Sequence, residues 1–304
     1  MKRVVVTGAS GFIGQHCLSM LNEKGYDVHA VSTKSLTQKN VQWHQINLLN
    51  IDEVRSVMGR VKPSHLLHLA WCTTPGTYWT SPENLNWLKA SIDLVLEFKR
   101  TNGERVVLAG TCAEYDWQFG YCSEKVTPLI PKSLYGVCKN SLHNVIHSYS
   151  ALVSLSAAWG RIFFLYGPHE NPSRLVASVI NHMLDGIPAK STHGEQIRDF
   201  LYVEDVASAF VNLLDCKVSG AVNIASGEPV KIKKVIHEIA EIIGRPDLVS
   251  LGSVSAPEND PLLLLADTTR LKDEVNWKPA NNLSDGLQKT VDWWRKKKKY
   301  DFEN

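Results

Sequence analysis

Near the start of the chain, the apolar run Val4-Val5-Val6 leads directly into Thr7-Gly8-Ala9-Ser10-Gly11-Phe12-Ile13-Gly14. Three glycines at this spacing, between a strand-like run and a helix-like run, tightly restrict the backbone. The first permits a tight turn, the second lets a diphosphate approach the main chain, and the third lets helix and strand pack closely. The N-terminus of the following helix supplies free N–H groups and a positive dipole end. The spacing predicts a dinucleotide-binding turn formed by Gly8, Ser10, Gly11, Phe12, Ile13 and Gly14.

The rest of the first half alternates short apolar runs with helical segments. Strands are expected at KRVVVTG, DVHAVST, VQWHQINL, SHLLHLAW and ERVVLAGT, with helices over Phe12–Lys24 and Pro82–Arg100. Continuous apolar runs point to strands covered on both faces, so the fold class is α/β with a doubly wound parallel sheet. A helix from Leu134 to about Ser150 follows, then strands LSAAWGRIFFLYG and GAVNIAS. Further helices are expected near Arg174–Asp185, Val203–Leu214, Ile232–Ile243 and Leu283–Lys297. The chain is therefore divided into a dinucleotide-binding domain, 1–167 with 199–227 crossing back, and a smaller mixed α/β C-terminal substrate domain, 168–198 with 228–304.

At 304 residues, with 44% hydrophobic and 21% charged residues, the chain can bury a core and is not a disordered or collagenous sequence. A formal net charge of +2 gives no bulk argument for nucleic acid. The run Lys296–Lys299 reads as a solvated helix end. No stretch reaches about 18 uninterrupted apolar residues, so no membrane span is expected. The six cysteines form no CxxC pair, which suggests neither a metal site nor a disulfide framework, and a cytoplasmic location is expected.

The second strand ends Val31-Ser32-Thr33-Lys34, without the acid that usually bonds an NAD ribose. Ser32, Thr33 and Lys34 would attract a 2′-phosphate, so NADP(H) is favoured and NAD remains possible. Asn47 and Leu48, after the third strand, could hold the adenine edge, and Leu69-Ala70 after the fourth could pack near the rings. Tyr135 and Lys139 share one face of a helix at a spacing of four. A tyrosine near pKa ~10 exchanges protons poorly at neutral pH, and a neighbouring ammonium lowers that value.

The segments TGASGFIG, HLAW, GTCAEYDW, LYGVCK, GRIFFLYGPHE, RDFLYVEDVA and ADTTRLKDEVNWKP occur in one order along nearly the whole chain. In this the chain resembles the extended short-chain dehydrogenase/reductases that act on nucleotide sugars, the epimerase/dehydratase group with a Rossmann domain. The resemblance implies a catalytic triad of Thr111, Tyr135 and Lys139, with Lys139 also bonding the ribose. It implies a nucleotide-diphosphate sugar as the small-molecule partner. Arg198 matches the family arginine that contacts the diphosphate, Arg174 could reach the nucleotide, and Asn86 could contact sugar or phosphate. It also implies a homodimer through the helices Pro82–Arg100 and Lys139–Ser150.

Several departures narrow the chemistry. Where family dehydratases carry Asp-Glu after the catalytic threonine, this chain has Cys112 and Ala113. The cysteine and histidine used by enzymes resembling GDP-fucose synthase are replaced by Ala113 and, approximately, Arg174. The family asparagine of the RxFN segment is absent, with Phe164 in its place, and a second diphosphate arginine is missing from APENDPLLLLAD. Two reactions remain. The lack of an acid after the second strand favours the first, reduction of a 4-keto-6-deoxy nucleotide sugar by NADPH in deoxysugar biosynthesis; the alternative is 4-epimerisation with retained NAD. A non-catalytic dinucleotide-binding regulator is the reading from another class. The aromatic stretch WCTTPGTYWTSPEN, with Tyr78 and Trp79, is read as a lid or sugar platform.

Overall fold

The computed structural model describes residues 2–257 and 260–303. The first part of the chain runs β1 (Arg3–Thr7), α1 (Gly14–Glu23), β2 (Asp27–Ser32), β3 (Val41–Gln45), α2 (Ile51–Val61), β4 (His65–His68), α3 (Glu83–Arg100) and β5 (Arg105–Thr111). It continues with β6 (Tyr121–Cys122), α4 (Leu134–Leu152), β7 (Ser156–Ile162), β8 (Phe164–Tyr166), α5 (Leu175–Leu184), β9 (Ala189–Lys190) and β10 (Ile197–Tyr202). The remainder is α6 (Val203–Asp215), β11 (Gly220–Ile224), β12 (Pro229–Lys231), α7 (Ile232–Ile243), β13 (Val249–Ser250), β14 (Leu263–Ala266) and α8 (Leu283–Glu303).

Seven parallel strands form the main sheet in the order β11-β7-β5-β4-β1-β2-β3. Helices cover both faces, as the uninterrupted apolar strands require. In β1 the alternation is direct: Val4 and Val6 pack with Cys17, Leu18 and Leu21 of α1 and Phe210 of α6. Val5 points the other way, to Val54 and Val57 of α2, Leu94 and Phe98 of α3 and Leu142 of α4. The strand order reverses between β1 and β4, which leaves a crevice at their carboxyl ends where ligands of such sheets bind.

A second sheet, β12-β10-β14-β6 with β8 also on β10, packs with α5, α7 and α8 around Val176, Ile180, Ile236, Ile239, Leu287 and Val291. β9 and β13 pair separately.

Three local differences from the sequence expectation have physical causes. The single strand expected over LSAAWGRIFFLYG is two strands in different sheets. The Phe163 N–H makes the last bond to the first sheet, to the Ile224 carbonyl at 3.2 Å; its ring is buried with Tyr115 and Leu264, and from Phe164 the chain pairs with β10 instead. Residues 199–202, grouped above with the dinucleotide unit, lie in β10, the central strand of the second sheet. Conversely Leu271, Val275 and Trp277, from the C-terminal segment, pack back on the first core, and Trp277 Nε1 donates to Ser208 Oγ at 2.8 Å. Helix α2 was not anticipated, although Asn50 caps it by accepting the Asp52 N–H, and Val54, Val57, Met58 and Val61 form its buried stripe.

Phe210 is fully buried, and a Cβ on Gly160 of β7 would lie 2.5 Å from its ring. Phe210→Ala is expected to cost about 3–5 kcal/mol. Thermal unfolding should show a midpoint several degrees lower; an unchanged midpoint would contradict this packing.

Candidate active site

The crevice between β1 and β4 opens into one cavity of about 1170 Å³ that runs between the two sheets. At its floor the glycine turn is as tight as the spacing suggests. Gly8 has φ +67°, and a Cβ there would lie 2.8 Å from the Ala70 nitrogen. A Cβ on Gly14 would lie 2.2 Å from the Gly8 carbonyl oxygen, and the Gly11 N–H donates to that same oxygen at 2.9 Å. The turn occupies residues 8–13, so α1 begins at Gly14 rather than Phe12. Beneath it, Thr7 Oγ1 and His68 Nδ1 are 2.6 Å apart, and His68 Nε2 lies 2.8 Å from Ser91 Oγ. Burial, with Lys139 nearby, holds His68 down to about 3, so it is a neutral brace between the strands.

Gly8, Ser10, Gly11, Phe12, Ile13, Gly14, Ser32, Thr33, Asn47, Leu48, Leu69 and Ala70 all line this cavity. Ser32 Oγ lies 3.2 Å from Ser10 Oγ and accepts the Lys34 N–H at 3.0 Å. Lys34 itself is exposed and does not line the cavity. A cradle without Cβ atoms, a helix N-terminus and two hydroxyls at the end of β2 fit a dinucleotide.

Thr111, Tyr135 and Lys139 are buried and line the same cavity. Thr111 ends β5, and Tyr135 and Lys139 stand on the first turns of α4, whose N-terminus is capped by Ser133. Burial pushes the Tyr135 phenol up and Tyr78 adds to this, while a hydrogen bond with Thr111 opposes it. Burial brings Lys139 down to about 7, against the opposing pull of Glu114. Lys139 Nζ donates to the Ala109 carbonyl at 2.8 Å and lies 3.9 Å from the centre of the Trp71 ring.

The WCTTPGTYWTSPEN stretch lies over the triad. The rings of Tyr78, Trp79 and Trp71 surround Tyr135 with centroids 5.0, 5.7 and 6.4 Å away. The Tyr135 N–H donates to the Trp79 carbonyl at 3.1 Å. Trp71 was not singled out in the sequence. Its Nε1 donates to Asn84 Oδ1 at 2.8 Å, while Asn84 Nδ2 donates to the Tyr78 and Ser81 carbonyls.

The substrate-side residues separate. Arg174 lines the cavity, with Nη1 3.5 Å from the Tyr78 hydroxyl. Arg198 also lines it, but is buried and paired with Asp260, and it donates to the Pro261 carbonyl at 2.7 Å. Asn86 is exposed on α3, donates to Glu83 at 3.3 Å and does not line the cavity; the buried asparagine of that helix is Asn84. The sequence signal that could have separated the two is helical phase, since Ala90, Ser91, Leu94 and Phe98 mark the buried face.

The model of the NAD dependent epimerase/dehydratase family matches residues 4–225. The chain belongs to that family. It is 27% identical over 317 residues to UDP-glucuronic acid decarboxylase 1 of Xenopus tropicalis, covering 100% of this chain and 74% of that protein. It is 25% identical over 313 residues to the UDP-glucuronate 4-epimerase of Thermodesulfobacterium geofontis, covering 95% of each. Among solved structures, MoeE5 in complex with UDP-glucose and NAD superposes with a TM-score of 0.85 at 28% identity, over 97% of this chain and 99% of that one. The Thermotoga maritima UDP-glucose 4-epimerase, at 23% identity and TM-score 0.87 over 97% and 99%, shares the fold. As a member of the family, the chain has an extended short-chain dehydrogenase/reductase fold, a Rossmann-like sheet with a second mixed domain. No helix among the described residues is long and apolar enough to cross a membrane.

Lys139 gives a test in the ligand-free protein. Its folded value, about 7, lies below its unfolded value of ~10.4, so between them the unfolded chain holds the extra proton and stability rises with pH. Below pH 7 the buried charge opposes folding. Lys139→Met should therefore melt higher than the parent at pH 6, with the difference narrowing towards pH 9. Equal differences at both pH values would contradict a buried, depressed ammonium.

Proposed function

We propose that this protein moves a hydride and a proton at one carbon, C4, of a nucleotide-diphosphate sugar. The observation that carries the reading is the composition of the cavity wall around Tyr135. Thr111, Tyr135 and Lys139 are there, while the two positions after Thr111 are Cys112 and Ala113. Burial pushes the Cys112 thiol well up, so it holds its proton, and alanine has none to exchange. Dehydration or C3/C5 epimerisation needs a second acid–base pair; oxidation and reduction at C4 do not.

The bound nicotinamide would supply the hydride acceptor and donor. Gly8, Gly11, Gly14 and the N-terminus of α1 would hold its diphosphate, and Ser32 and Thr33 its adenosine ribose. Tyr135 takes the proton from the sugar hydroxyl, or returns it to the keto oxygen. Thr111 donates a hydrogen bond to that oxygen. Lys139, in its charged form, would bond the ribose and favours the phenolate. The aromatic cover of Trp71, Tyr78 and Trp79 excludes water while the keto form exists. Arg174 would contact the nucleotide side.

Of the two reactions, 4-epimerisation with retained NAD is favoured. The cover over Tyr135 suits an intermediate that stays bound, Lys34 does not line the cavity, and MoeE5 was solved with NAD. The second reading, NADP(H)-dependent reduction of a 4-keto-6-deoxy sugar, is favoured by one observation: β2 ends in hydroxyls rather than a carboxylate. A homodimer through α3 and α4 accompanies either reading, as both helices expose apolar side chains, including Leu85, Leu96, Val137, Val145 and Leu152.

The test is to denature the purified protein, identify any released dinucleotide, and assay UDP-glucose, UDP-glucuronic acid and a 4-keto-6-deoxy nucleotide sugar with NADPH. Near-stoichiometric NAD and interconversion of C4 epimers are expected, with Tyr135→Phe lowering kcat by about 10²–10⁴-fold. No retained dinucleotide, with NADPH consumed only by the keto sugar, would replace epimerisation by the second reading.

A further inference from the structure

Behind Thr111 lies a carboxylate that neither reaction uses directly. Glu114 is completely buried, and three donors converge on it. Arg161 Nε lies 2.7 Å from Oε2, Trp159 Nε1 2.9 Å from Oε1, and the Thr111 N–H 2.8 Å from Oε1. Thr111 and Glu114 cap each other: the Thr111 hydroxyl accepts the Ala113 N–H at 3.2 Å while Glu114 accepts the Thr111 N–H. A hydroxyl that already accepts from the main chain still has its own proton to donate. The packing leaves no slack, because a Cβ on Gly110 would lie 2.0 Å from Trp159 Nε1 and 2.7 Å from Glu114 Oε1. Arg161 is itself 1% exposed, and its Nη1 donates to the Tyr115 hydroxyl at 3.1 Å. That hydroxyl donates to Asn223 Oδ1 at 2.8 Å, and Asn223 Nδ2 donates to the Cys122 and Asp267 carbonyls. The network thus joins the end of β5 to the second sheet. A buried ion pair of this kind is poor value for stability alone, since apolar residues of equal volume usually serve as well.

We propose that Glu114 is a positioning residue for the triad. Locked by Arg161 and Trp159, its carboxylate holds Thr111 facing the cavity as a hydrogen-bond donor, and its fixed charge sets the field in which Tyr135 and Lys139 exchange protons. The inference rests on the triad reading above. Besides Arg161, the groups that feel this carboxylate are Tyr135, Lys139 and His143 of α4, and Cys112 and Tyr115 beside it. The charge disfavours the phenolate of Tyr135 and favours the ammonium of Lys139.

The experiment is an absorbance titration of phenolate in the NAD⁺ complex of the full chain, each variant read against its Tyr135→Phe counterpart to isolate Tyr135. Glu114→Gln is expected to move the Tyr135 midpoint to lower pH by about 1 unit. Trp159→Phe removes one donor and leaves the ion pair intact, so the carboxylate is less neutralised and the midpoint should move to higher pH. If Glu114→Gln does not fold, the direction of the Trp159→Phe shift decides. Midpoints that coincide with the parent in the variants that fold would overturn the proposal and leave Glu114 a packing residue. A Tyr135 phenol that NAD⁺ does not shift in the unsubstituted protein would overturn the triad reading, and this inference with it.

Discussion

The cavity depends on how closely α1 approaches the end of β1. With no side chain at Gly14, the first turn of the helix sits against the Gly8 carbonyl, where a Cβ would be only 2.2 Å away. That approach points the helix N-terminus along the carboxyl edge of the sheet, at the place where strand order reverses. Gly8 does the same on the other side, bringing the turn against the Ala70 nitrogen after β4. Two backbone contacts, each possible only for glycine, therefore set both the crevice and the electrostatic character of its floor.

On that floor the triad is held away from water, and its chemistry follows from burial. Burial pushes the Tyr135 phenol up and brings the Lys139 ammonium down to about 7. An oxidised nicotinamide held beside Tyr135, as proposed, would add positive charge and favour the phenolate. The aromatic cover contributes in two ways. Tyr78 and Trp79 close over Tyr135, and Trp71, pinned by Asn84, presents its ring face to Lys139 and so favours its charged form.

How much of this was legible in the sequence depended on whether the signal was local. The glycine turn, the buried strands and the Tyr135–Lys139 pair are short motifs, and each occupies the predicted element. Helix α2 carries a plain local signal as well, an asparagine cap and apolar residues at 54, 57, 58 and 61. The break at Phe163 was not legible, because nothing in an unbroken apolar run says that its two halves pair with different sheets. Asn86 and Asn84 differ only by helical phase. Lys34 belonged to the right segment, but an exposed loop residue carries no information about which way its side chain extends. Glu114 lies inside the GTCAEYDW segment, but nothing local marks its role, because its partners Trp159 and Arg161 lie more than 40 residues away.

The central claim is that carbon-bound hydrogen moves only as hydride at one sugar carbon, with Tyr135 handling the proton on oxygen. Turnover in D₂O, with the product examined by NMR, tests it most directly. The account predicts a product with no deuterium on any sugar carbon, because a hydride shuttled through the nicotinamide does not exchange with water. Deuterium at C3, C5 or C6 would mean that a second acid–base group acts on the sugar, and would contradict the reading of Cys112 and Ala113.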